Sequence, residues 1–102
     1  MNKELSRDMS EHTAAALAAI DDLLPALSAL PAEAHRNQLV EEAEALRRAI
    51  AAFHMEAIRF RMHSVDRLLR IGGDQPDARA RLEHLRQTLE DAGFHTRSHS
   101  AP

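Results

Sequence analysis

The sequence predicts an all-α chain: a helical hairpin or three-helix chain with one long central helix, pairing into a dimeric four-helix-bundle-like assembly. Three observations carry this. Ala, Leu, Glu and Arg dominate the 102 residues, whereas Val, Ile and Thr together number nine, too few to furnish a sheet. No Gly or Pro occurs between Pro31 and Gly72. Of the 45 hydrophobic residues 19 are Ala, and the 26 larger ones fall on stripes that a thin single chain covers poorly.

The chain is short enough for one helical domain over residues 1–94, with 95–102 as a flexible polar tail. The first helix is expected over about 5–24, with Leu5, Met9, Ala16, Leu17, Ile20, Leu23, Leu24 and Leu27 spaced mostly by three or four. Pro25 should end or kink it, because proline lacks the backbone N–H and crowds the preceding turn. The second helix is expected over 32–71. Leu39, Ala43, Leu46, Ile50, Phe53, Ala57 and Phe60 alternate steps of four and three like a bundle seam. A second stripe, His54, Ile58, Met62, Val65 and Leu69, joins from the middle onward, which implies two neighbours there. Gly72-Gly73 closes that helix, and Pro76 opens a third over about 76–92, with Gly93 as its C-terminal cap and Phe94 folding back.

Charge is unevenly distributed. Residues 1–46 carry three basic and nine acidic groups, and residues 47–102 carry ten arginines and seven acids, within a total of −3. Two long helices laid antiparallel would set the acidic half of one, with Glu41, Glu42 and Glu44, beside Arg59, Arg67 or Arg70 of the other. The expected dimer core is Leu39, Leu46, Ile50, Phe53, Ile58, Val65 and Leu69. The rival arrangement is a monomeric three-helix bundle in which the long helix bends sharply near Ala51 or Ala52. No stretch reaches the ~20 apolar residues of a membrane span, and no targeting segment is visible, so a cytoplasmic address is expected.

Catalytic chemistry finds little foothold. Without Cys there are no disulfides, thiolate metal sites or cysteine nucleophiles. Seven His invite a metal search, but none follows an acid by three residues, and the His-Glu-x-x-His pattern is absent. Only His95 and His99 have ligand spacing, and they sit in the tail. No Gly-rich phosphate loop or nucleophile elbow occurs. No cofactor, metal site or enzymatic activity is expected. Arg48, Arg59, His63, Arg67 and Arg70 form a stripe of the kind that binds phosphate backbones, but interleaved Glu56 and Asp66 favour ion pairs along the helix.

The expected function is protein binding: a small non-enzymatic module, a homodimeric regulator, adaptor or chaperone-like protein that docks another protein through its long helix. Its docking residues would be Met55, Arg59, Phe60, Met62, His63 and Arg67, where Met and Phe lie among arginines. The alternatives are a nucleic-acid-binding dimer using the Arg stripe and a His-based metal or cofactor-binding bundle. In size and predicted build the chain resembles small bacterial regulators that sequester another protein, such as quorum-sensing antiactivators and type III secretion chaperones. That likeness of architecture implies a regulator that works by occupying its partner.

Overall fold

A computed structural model describes residues 3–94, with side chains from Glu11 onward except His12. The side chains of Leu5 and Met9, the tail 95–102 and the His95/His99 pair lie outside what is described. Four α-helices and one 3-10 turn follow in order: α1 (Lys3–Ser28), the 3-10 turn (Ala32–Ala34), α2 (Arg36–Ala51), α3 (Met55–Ile71) and α4 (Pro76–Asp91). Among the described residues there is no strand. Each helix packs against its neighbours in the cyclic order α1, α2, α3, α4, with α4 returning to α1. The α3–α4 pair approaches closely over only a short stretch, and no close approach joins α1 to α3 or α2 to α4.

α1 continues through Pro25 to Ser28 rather than ending near Leu24. Proline forfeits one intrahelical bond, but Leu23 and Leu27 are fully buried on the same face. Pro25 O still accepts from Ala29 N–H at 3.1 Å. Across the α1–α2 seam, Arg47 donates to both Asp21 oxygens at 2.7 and 3.2 Å. That hydrogen bond holds the Asp21 carboxyl below the usual carboxylate range.

The single long helix over 32–71 is not what forms. The chain is interrupted first by the 3-10 turn and left-handed His35 (φ 62°), then at Ala52–His54. The second break turns on Phe53, whose φ is +59° although it is not glycine. Phase explains it. Leu39 and Ile58, Ala43 and Met62, Leu46 and Val65, and Ile50 and Leu69 are each separated by 19 residues. Five helical turns take about 18 residues, so on one straight helix these two stripes would face directions about 100° apart. Folding back at Phe53 turns both stripes into one core, and all eight residues are buried there.

The core is thus closed within one chain. It runs from Ala16 through Ile20, Leu23 and Leu27 of α1 to Leu82, Leu85 and Leu89 of α4. At one end Gly72 lies against Ala34; at the other, Phe94 covers the bundle and meets Phe53 edge to face.

Candidate docking surface

Six of the seven residues expected in a dimer core, namely Leu39, Leu46, Ile50, Ile58, Val65 and Leu69, lie in the core of the single chain. They therefore serve the fold before any assembly. Phe53, the seventh, remains 42% exposed at the α2–α3 turn. Of the expected docking residues, Met62 is fully buried in the core, so it drops out of any docking set. The others stay accessible on α3: Met55 is 45% and Phe60 61% exposed, Arg59 is half-buried, and His63 and Arg67 are exposed.

Among the described residues, three of the four exposed large apolar side chains fall between residues 53 and 60; Ile71, 57% exposed, is the fourth. Phe53 and Phe60 prolong the heptad stripe of α2 past the turn, where the core no longer uses it. The Arg61 guanidinium stands 5.3 Å from the Phe60 ring centroid while donating to Glu42 at 2.9 and 3.1 Å. This contact links α3 to α2 and steadies the ring on its exposed face.

The arginines divide into two groups. Arg47, Arg61, Arg70, Arg79, Arg81 and Arg86 are ion-paired within the chain. Among the described residues, the side chains of Arg48, Arg59 and Arg67 have no hydrogen-bond or ion-pair partner, and neither do Glu41 and Glu44. At helical spacing, Asp66 pairs with Arg70 and Asp77 with Arg81, whereas Glu44–Arg48 and Glu56–Arg59 do not form. The anticipated Arg stripe is also split: Arg48 lies on α2, Arg70 is drawn onto Asp66, and only Arg59, His63 and Arg67 remain as a basic ridge on α3.

Two features escape the sequence pattern. Asp66 is buried between α3 and α4, where it accepts from Arg79 at 2.7 Å, pairs closely with Arg70 and lies 3.6 Å from Arg86. Burial pushes its carboxyl up, but the Arg79 hydrogen bond and the charges of Arg70, Arg79 and Arg86 outweigh this and hold it below the ordinary range. The Arg86 Nε is buried without a hydrogen-bond partner. Only the Asp66–Arg70 spacing hinted at this cluster. The second feature is a groove of about 490 Å³ between the end of α1 and the start of α2, lined by Ser28, Arg36, Asn37, Val40, Glu41 and Glu44.

His54 sits exposed at the turn before α3, its backbone N–H bonded to Ala49 O at 3.0 Å. Among the described residues no group of three or more His, Cys, Asp or Glu could hold a metal ion, and no helix is long and apolar enough to cross a membrane. In comparison with known proteins, no family model matches the chain, and no curated protein or solved structure matches it significantly.

Proposed function

We propose that this protein is a non-enzymatic protein-binding module, a small cytoplasmic regulator or adaptor that works as a homodimer and docks its partner through α3. The observation that supports this most is the concentration of unused binding capacity on one short segment. Phe53, Met55 and Phe60 are exposed within eight residues, and Arg59 and Arg67 beside them have no ion-pair partner among the described residues. An aromatic anchor flanked by unpaired arginines is the composition that dominates binding energy at protein interfaces. The core buries neither Met55 nor Phe60, so their loss costs the fold little.

The test compares the whole chain with Phe60→Asp as bait in extracts of the native host. A protein retained by the wild type and lost with Phe60→Asp, at unchanged helicity and melting temperature, supports the reading. Identical retention by both chains refutes it.

A further inference from the structure

Two pairs of free charges on this chain are complementary, while Arg48 on α2 and Glu56 on α3 are also without partners among the described residues. Intrachain pairing consumes Glu42 with Arg61 and Arg70 with Asp66, but leaves Glu41 and Glu44 on α2 and Arg59 and Arg67 on α3 without partners among the described residues. Each set stands beside a shape feature. Glu41 and Glu44 rim the groove over Val40, while Arg59 and Arg67 flank the protruding ring of Phe60. Arg36, the one cation in the groove, is turned aside to donate to Leu30 O at 3.3 Å. Glu56, the one carboxylate on the exposed ridge of α3, lies at its N-terminal end.

The heights also agree. α2 ends at Ala51 where α3 starts at Met55, and at the far end Gly72 lies against Ala34. Since α2 and α3 run antiparallel, Phe60 comes level with about Leu46, Arg59 with Arg47 and Arg67 with Leu39. Arg59 is then about 5 Å along the axis from Glu44, and Arg67 about 3 Å from Glu41, within reach of their side chains. Ridge and groove therefore occupy the same height on one molecule, a short distance apart around its circumference. A two-fold axis parallel to the helices keeps heights unchanged and exchanges the two features, so each copy presents its ridge to the other's groove and the contact closes on itself.

We infer that the α1–α2 groove receives α3 of a second copy of this chain, with Arg67 paired with Glu41, Arg59 paired with Glu44, and Phe60 seated beside Glu44 at the end of the groove. This rests on the reading of α3 as a docking surface, and it names the second copy as an occupant.

The experiment is a charge exchange followed by sedimentation equilibrium. A groove variant carries Glu41→Lys and Glu44→Lys; a ridge variant carries Arg59→Glu and Arg67→Glu. All four positions lie outside the core, and circular dichroism verifies that each variant folds. The wild type is expected to dimerise, and each variant alone to dissociate at least about tenfold more readily, because like charges then meet at both contacts. Mixed in equal amounts, the two variants are expected to form a one-to-one heterodimer, since every reversed glutamate again faces a reversed arginine. A wild type that stays monomeric at every concentration overturns the inference while leaving capture of another protein by α3 to its own test. A dimer lost with Phe60→Asp but indifferent to the charge variants also overturns it, and keeps α3 as the docking surface with a different mate.

Discussion

Phe53 and Phe94 meet edge to face with ring centroids 5.0 Å apart, and each belongs to the same type of helix ending. After α2, His54 N–H bonds Ala49 O and Phe53 N–H bonds Ile50 O; after α4, Phe94 N–H bonds Leu89 O and Gly93 N–H bonds Glu90 O. Both are Schellman caps, which need a left-handed residue just past the helix. α4 meets that need with Gly93 at φ 94°, whereas α2 uses Phe53 at φ 59°. The ring contact helps to offset a backbone conformation that an L-residue adopts at a cost of about 1 kcal/mol.

Phe53→Gly should therefore be close to neutral in urea unfolding, since relief of backbone strain and loss of the aromatic contact are each about 1 kcal/mol. Phe53→Ala keeps the strain and loses the ring, so it should be less stable than Phe53→Gly by about 1 kcal/mol. An alanine variant as stable as the glycine variant would remove strain from this account.

This turn is also where the sequence pattern misleads. Ala51 and Ala52 favour helix, and the spacing Ile50, Phe53, Ala57, Phe60 continues the heptads of α2 without a fault. Neither propensity nor spacing marks a break. The mark is the second stripe, Ile58, Met62, Val65 and Leu69, which cannot share a core with Leu39 to Ile50 on one straight helix. Read as evidence for a second neighbour, it suggests a dimer; read as a change of phase, it requires a turn. The helical class and the Gly72-Gly73 break were legible because each follows from local chemistry. The Asp66 cluster and the α1–α2 groove were not, because they depend on which helices become neighbours.

At the opposite end of the bundle, a Cβ added to Gly72 would lie 2.9 Å from the carbonyl oxygen of Ala34. The obstacle is backbone, which cannot rotate away as a side chain can. Gly72→Ala should cost about 1–3 kcal/mol through displacement of the 3-10 turn against α3. Gly73 has open space but φ 105°, so Gly73→Ala should cost about 1 kcal/mol, from backbone conformation alone. Thermal unfolding of the two variants should rank Gly72→Ala as the less stable; the reverse order would contradict the close approach.

Acid should loosen the α3–α4 seam through Asp66. Its carboxyl is depressed in the folded chain by Arg79, Arg70 and Arg86 against the opposing effect of burial. A depressed folded value means that the stabilisation is fully present above the ordinary carboxylate pKa of about 4 and is lost as pH falls through the folded value. Asp66→Asn should cost about 2 kcal/mol at neutral pH, since it leaves the guanidinium of Arg79 without its charged acceptor. It should also flatten the stability profile between about pH 5 and pH 2 relative to wild type. Parallel profiles for the two chains would show that Asp66 contributes nothing to acid unfolding.

Met62 and Phe60, two residues apart on α3, should separate stability from binding. Met62 is fully buried among the core helices, so Met62→Ala opens a cavity and should cost about 2–5 kcal/mol. Phe60 is 61% exposed, and its ring touches the Arg61 side chain rather than the core. Phe60→Ala should then change the unfolding free energy by less than about 1 kcal/mol. Its expected effect is on association, because a large aromatic truncated at the centre of an interface commonly costs about 2 kcal/mol or more of binding energy, which is tenfold or more in Kd. Urea unfolding paired with sedimentation of the same two variants reads both quantities. If Phe60→Ala unfolded as readily as Met62→Ala and associated like wild type, the exposed ring would belong to the fold and α3 would lose its anchor.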